Sequence, residues 1–303
     1  MNFSSLMPWT WSKLDPARTR AARHHFDTAG GYDAWHSYCR SQFRRTSHGV
    51  TDIETSGMEI LTVLSPQEAS QTKQLLLEKS KAFQQKKQAI DYADTLAFEG
   101  MDFLLPTVEK MLSPDIDAKI TKFFGSEYFV QSLIANRTMP AKKSKRSFLW
   151  HCDRGPQNFL KINLFLDPTS EHGGTTEFLD NADSKLFEDA GYTFGANDRR
   201  VSDLSAISRK IGANPKVIHP QLDAGQAFMF LPARSLHRGY MPSKGIRHLL
   251  LAIILPSPIH WRKAWDKMAT DGSLLKADGS FPDNADHLFD LIGAARPGQR
   301  AAA

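Results

Sequence analysis

The residues from Phe159 to Leu166 alternate without a break. Leu160, Ile162, Leu164 and Leu166 fall on one side, and Phe159, Lys161, Asn163 and Phe165 on the other. Period two is the signature of a β-strand. One side is wholly apolar, whereas the other sets a lysine and an asparagine between aromatic rings. Burying those two groups is costly unless they are paired. Such a strand belongs in a β-structure that closes around something polar, and a cavity holding an anion would pair both side chains.

Other strands follow the same logic. Glu127 to Thr138 is rich in aromatic and β-branched residues, Gln226 to Leu231 and Arg247 to Leu255 are apolar runs of strand length, and Gly173-Gly174 supplies a tight turn. Several short strands with glycine and proline turns predict a closed or sandwiched β architecture. Helices flank it. Asp15-Pro16 reads as an N-cap followed by proline at the first helical position. Trp35, Cys39 and Phe43 share one helix face by their four-residue spacing. Thr51 to Gly57 reads as a turn-rich boundary, and Met58 to Leu64 as a short strand. Ser65-Pro66-Gln67-Glu68 is a capping box that opens a helix towards Phe83. Ser113-Pro114 opens another, which Gly125 closes. Ile259 to Met268 and Asp286 to Ile292 read as C-terminal helices, and the tail from Arg300 is expected to be disordered. The expected organisation is a helical N-terminal extension over 1–56, a β domain with supporting helices over 57–258, and a helical segment and tail over 259–303, packed as one compact domain.

Composition narrows the class. In 303 residues, 41% are apolar and 10% aromatic, enough for a sizeable core. A net charge of +5 permits an anionic small-molecule substrate but does not point to nucleic acid. Cys39 and Cys152 are the only cysteines, too few for a disulfide framework, so a reducing, cytoplasmic setting is expected. No run approaches the roughly 18 apolar residues of a membrane span. The first residues lack the form of a signal peptide. Trp9 and Trp11, beside basic helices, allow at most weak peripheral contact with a membrane.

The chemistry-bearing residues are scattered. In Leu149-Trp150-His151-Cys152-Asp153, a His-x-Asp triplet on a strand puts both side chains on one face and turns Cys152 away. The triplet alone is weak, since roughly one is expected by chance counting. A second, His25-Phe26-Asp27, lies in a helical stretch where i and i+2 diverge, so His25 and Asp27 read as surface residues. His237 follows an apolar strand that delivers it to the rim of a core. Two histidines and a carboxylate on one face of a metal make the facial triad of non-haem Fe(II) sites. Arg247 opens an apolar strand, an odd place for a charge unless it faces an acid, and its guanidinium can fork onto the distal carboxylate of a 2-oxoacid. The competing readings are a fortuitous pair with a core histidine, and a strand-end salt bridge for Arg247. Lys161 and Asn163 either line this site or are capped by neighbouring loops. Asn136, on the preceding strand, is placed to touch cosubstrate or substrate. Trp150 reads as packing before substrate stacking. The run Lys142-Lys143-Ser144-Lys145-Arg146 is either a solvated loop or a mouth that attracts an anionic substrate.

In order along the chain, Trp150-His151-Cys152-Asp153, Phe159-Leu160-Lys161-Ile162, Leu166-Asp167 followed by Gly173-Gly174, Phe230, Leu236-His237-Arg238-Gly239 and Arg247 resemble the phytanoyl-CoA dioxygenase-like branch of the Fe(II)/2-oxoglutarate oxygenases. The resemblance implies a mainly β fold with flanking helices around a double-stranded β-helix core (jelly roll, cupin-like). It implies Fe(II) held by His151, Asp153 and His237, 2-oxoglutarate chelating the iron through its keto acid end, and Arg247 on the far carboxylate. It also implies the use of O2, with release of succinate and CO2, to hydroxylate an aliphatic C–H of a small molecule, which could be anionic and lipid- or sugar-linked. With Asp153 present the iron has no vacancy for a halide, so hydroxylation, desaturation or epimerisation is favoured over halogenation. Two departures bear on the substrate: Phe178-Leu179-Asp180-Asn181 stands where the family has a proline-glycine-serine-histidine segment, and the first fifty residues have no counterpart. The alternative is a non-catalytic jelly-roll protein that binds a metal or ligand.

Overall fold

The computed structural model describes residues 14–28, 32–43, 52–80, 93–96, 102–194 and 199–268. In chain order the elements are α1 (Pro16–Thr28), α2 (Tyr32–Gln42), α3 (Asp52–Ser56), β1 (Met58–Thr62), α4 (Pro66–Lys79), β2 (Ala93–Leu96), α5 (Leu105–Met111), α6 (Pro114–Phe124), β3 (Glu127–Thr138), β4 (Leu160–Phe165), α7 (Thr169–His172), β5 (Thr175–Phe178), α8 (Asn181–Asp189), α9 (Ser205–Ile211), β6 (Gln226–Phe230), β7 (His237–Tyr240), β8 (Arg247–Ser257) and α10 (Trp261–Met268).

The alternating segment, β4, sits in the middle of a six-stranded sheet of order β1-β6-β4-β8-β3-β2, whose pairings are antiparallel. Its apolar side, Leu160, Ile162 and Leu164, joins Met229, Leu250 and Ile254 against a layer of helices that contributes Leu76, Val108, Ile116, Ile120 and Phe124. The other side carries Lys161, Asn163 and Phe165. Phe165 packs with Phe228, Phe230 and Leu249 of the same sheet and with Phe178 of a second, two-stranded sheet, β5-β7. Each face of the large sheet is therefore covered: one by the helices of the main core, the other by the small sheet towards one end and by α2, through Trp35 and Cys39 against Phe159 and Leu255, towards the other. This accounts for hydrophobic residues at both phases of the strand. The fold is an antiparallel, sheet-rich one with flanking helices.

Local chemistry sets several boundaries. Ser65 Oγ accepts from Glu68 N, and the Glu68 carboxylate accepts from Ser65 N at 2.8 Å, so the capping box starts α4 as its residues predict. Gly125, at φ 61°, closes α6. Thr51 to Gly57 departs from expectation: it holds the short helix α3. Ile53 is buried in the main core, and Gly57, at φ 82°, takes the turn that follows. Burial of one side chain decides this element, and no local pattern announces it. Strand β1 stops at Thr62, because Val63 N and Leu64 N both donate to Gly225 O and bend the chain.

The N-terminal helices dock on the sheet. Trp35 and Cys39 share a buried face of α2 and pack with Phe129, Phe159 and Leu255, and Trp35 Nε1 donates to Pro256 O at 2.8 Å. Arg23 of α1 pairs with Glu188 and donates to Ala233 O. His25 is exposed as expected, but Asp27 is more than a surface group. It accepts from Gln157 N at 2.9 Å and Gln157 Nε2 at 2.7 Å, and so ties α1 to the loop after Asp153. Cys39 and Cys152 are both unpaired and buried. Among the described residues no helix is long and apolar enough to cross a membrane. Trp9, Trp11, the end of the helix expected towards Phe83, the expected helix over Asp286 to Ile292 and the tail lie outside the described residues.

Candidate metal centre

His151 and His237 exchange both backbone hydrogen bonds, N–H to O, at 2.9 Å each way. In an antiparallel pair, residues opposed in this way project their side chains to the same side. The imidazoles accordingly lie side by side, with ring centroids 4.5 Å apart. The segment carrying His151 is an isolated bridge rather than the strand its sequence suggests. It is held by Trp150 N to Val201 O on one side and by Asp153 N to Pro232 O beyond. Period two still applies over three residues. Asp153 returns to the histidine side, while Cys152 packs with Leu179, Phe187 and Tyr192 behind it. Ligand atoms of His151, Asp153 and His237 all lie within 4.8 Å of one another. Asp153 Oδ1 is 3.3 Å from His151 Nε2 and 3.9 Å from His237 Nε2.

Both imidazoles are oriented in the same way. His151 Nδ1 contacts Leu149 O at 2.7 Å, and His237 Nδ1 contacts Ser235 O at 2.8 Å. A carbonyl can only accept, so each Nδ1 carries the proton and each Nε2 presents its lone pair. Burial pushes the His151 pKa down. Burial, reinforced by His151, pushes that of His237 down to about 3. Burial works against the Asp153 carboxylate, but Lys161, His151 and His237 outweigh it and hold the pKa well below the usual range. At neutral pH the site is two neutral imidazoles and one carboxylate with lone pairs converging. That donor set fits a cation of the facial-triad type.

The remaining expected site residues lie on the inner face of the large sheet or at its end. Lys161 extends from β4 to bond Asp153 Oδ2. Asn163, two residues along, is 5% exposed, and its Oδ1 has no partner among the described residues. Asn136 of β3 lies opposite Leu249 and accepts from Thr95 Oγ1 at 3.1 Å. Arg247 is 5% exposed. Its Nη1 donates to Thr175 O at 2.8 Å and its Nη2 to Thr138 Oγ1 at 3.2 Å. Its Nε is buried without a partner, and no carboxylate pairs with it among the described residues. Burial alone lowers the Arg247 pKa to about 10. A strand-end salt bridge is not what is found there. Phe178, the β5 partner of His237, is three residues from Thr175, so roughly 10 Å of strand separates the histidine pairing from the carbonyl that anchors Arg247.

Sequence reasoning passed over several residues that shape this site. Thr138 stands opposite Arg247 in the β3–β8 register, a relation visible only once the strands are paired. The ring of Phe148 lies 5.7 Å from the Arg247 guanidinium and fills the space a side chain at Gly239 would need, 2.9 Å from an ideal Cβ there. Phe230, part of the family resemblance but given no role there, packs edge-on to His237 at 5.1 Å. Tyr192 Oη donates to Trp150 O at 2.9 Å and accepts from Val201 N at 3.0 Å, which pins the excursion between β5 and β6 to the segment that carries His151. Trp150 itself lies beneath the Arg238 guanidinium and borders a surface pocket of about 470 Å3 with Glu177 and Arg209. It packs in the cluster behind the site with Cys152 and Leu179. The side chains of Lys142, Lys143, Lys145 and Arg146 are all exposed.

No family model matches the chain, and no curated protein matches it. Among solved structures it is similar to the epimerase SnoN in complex with Fe3+, alpha ketoglutarate and nogalamycin RO, with 15% identity, a TM-score of 0.46 and coverage of 74% of this chain and 84% of that one. It is also similar to apo EctD from S. alaskensis, with 12% identity, a TM-score of 0.45 and coverage of 67% and 74%. A third is HygX from Streptomyces hygroscopicus with nickel, 2-oxoglutarate and hygromycin B bound, with 12% identity, a TM-score of 0.43 and coverage of 69% and 86%. At such levels of overlap, the case for function rests on the residues of this chain.

Proposed function

We propose that this chain is a non-haem Fe(II)- and 2-oxoglutarate-dependent oxygenase with a double-stranded β-helix core. On this reading it belongs with the phytanoyl-CoA dioxygenase-like enzymes and hydroxylates an aliphatic C–H of a small molecule. One observation carries the reading: three convergent lone-pair donors and, about three strand residues away, a buried guanidinium that no carboxylate of the described residues pairs with. A buried, unpaired charge is expensive, and a ligand carboxylate relieves it. A five-carbon diacid chelating a metal at one end suits that spacing.

When bound, iron, 2-oxoglutarate and O2 supply the redox chemistry, in which decarboxylation to succinate and CO2 is coupled to hydroxylation. The protein provides the rest. His151 and His237 offer Nε2 lone pairs in fixed tautomers, and Asp153 offers Oδ1. Arg247, with Thr138 and Thr175 holding its guanidinium, receives the distal carboxylate. Asn163 Oδ1 is an acceptor awaiting a donor. Phe178, Phe228 and Phe230 pack against one another beside His237 and keep water from the inner face. The exposed basic run before His151 supports an anionic substrate.

The test is incubation with Fe(II), ascorbate and 2-oxoglutarate under 18O2, with succinate followed by mass spectrometry. Singly labelled succinate, absent from His151→Ala protein, is the expected result. No succinate from folded, iron-loaded wild type would favour the non-catalytic jelly-roll reading. Succinate alone leaves the substrate open, and a product heavier by one oxygen atom identifies it.

A further inference from the structure

Lys161 stands on the inner face of β4, in register with Phe230 of β6 and Ile253 of β8. Its Nζ bonds Asp153 Oδ2, while Oδ1 of the same carboxylate faces the two imidazoles at 3.3 Å and 3.9 Å. The two oxygens are thus differently engaged. We propose that Lys161 is a positioning residue that confines Asp153 to one metal-facing oxygen and makes tight metal binding depend on a dianionic chelator. This rests on the reading of the site as a metal centre.

Two physical effects act together. A carboxylate free at both oxygens can bind a cation through both and so take two coordination positions. An ammonium on Oδ2 removes that option and keeps a position open for a chelating diacid or for oxygen. The second effect is charge. Asp153 and Lys161 cancel, so a divalent ion enters a set of side chains with no net charge and lies close to a like-charged ammonium, which weakens its binding. A dianion that chelates the ion at one end and meets Arg247 at the other offsets much of that excess charge. Without the Lys161 charge, the ion alone would bind more tightly, and the diacid would add less.

The experiment is titration of metal-free protein with Co(II), with and without 2-oxoglutarate, following the ligand-field absorption of wild type, Lys161→Met and Lys161→Arg. Lys161→Met is expected to bind Co(II) alone about tenfold more tightly than wild type. Its spectrum should shift as the second carboxylate oxygen enters, and 2-oxoglutarate should tighten binding less than in wild type. Lys161→Arg, which keeps the charge, should behave as wild type. If Lys161→Met fails to fold, Lys161→Gln carries the same test. Unchanged or weaker Co(II) binding with an unchanged spectrum would overturn the proposal and leave Lys161 as a stabilising ion pair, visible only as a lower Tm. Wild type that binds no Co(II) would overturn the metal-centre reading itself, an outcome distinct from the former.

Discussion

Arg247 carries the clearest conflict between stability and use. Its guanidinium is buried with one unpartnered nitrogen and no carboxylate among the described residues, a state that costs folding free energy and that, on the proposed function, a ligand acid relieves. Arg247→Met should therefore leave metal-free protein as stable as wild type, or more stable by up to about 2 kcal/mol. The same change should abolish the rise in Tm that 2-oxoglutarate with a divalent metal gives wild type. Thermal unfolding with and without the diacid checks both, and a large loss of apo stability would show that Arg247 is structural. His151, Asp153, His237 and Arg247 could be singled out in the sequence as candidates, from a His-x-Asp step, a histidine after an apolar strand and a charge at the head of another; that the first three converge is seen only in the fold. Phe148 and Tyr192 were not, because their roles come from contacts with Gly239 and Trp150 far along the chain.

At the level of elements, Asp167 joins three of them. It follows β4, pairs with Lys73 of α4 at 2.6 Å, and accepts from His248 of β8 through both N and Nδ1. Burial raises its pKa, but His248 and Lys73 outweigh burial and lower it to about 2. An unfolded aspartate titrates near 3.9. The stabilisation is therefore complete above that value and is lost as pH falls from about 4 through 2. Asp167→Asn should lower stability by about 1–3 kcal/mol at pH 7, and the deficit should shrink across that acid window. Urea unfolding at pH 7 and pH 3 would test this, and an equal deficit at both values would contradict it. Where an element is set by its own residues, the sequence disclosed it: the Ser65–Glu68 capping box, Gly125, and the alternation of β4. Where distant burial sets it, as at α3 under Ile53, it stayed hidden. The N-cap of α8, where Asp180 Oδ1 accepts from Asp183 N at 2.7 Å, was a readable signal that the sequence reading passed over.

For the whole molecule, the small sheet and α2 cover the inner face of the large sheet, the helices of the main core brace its outer face, and the excursion between β5 and β6 packs behind Trp150 and Cys152. The histidine pair forms where these parts meet: His237 on β7, His151 bridged to it, and Val201 and Tyr192 of the excursion behind. Asp27 and Arg23 extend the brace from α1 to Gln157 and Ala233, so the N-terminal helix supports the loop that follows the carboxylate. This closure is not legible in any one segment. It depends on register between strands far apart in the chain, as in Thr138 opposite Arg247. On the proposed function, this closure builds a metal site with a diacid anchor. The most direct measurement is anaerobic titration of Fe(II) with 2-oxoglutarate, watching the weak visible charge-transfer band of the chelate in wild type, His237→Ala and Arg247→Ala. Wild type should give a band that vanishes in His237→Ala and weakens in Arg247→Ala. Folded, iron-loaded wild type without a band would contradict the proposed function.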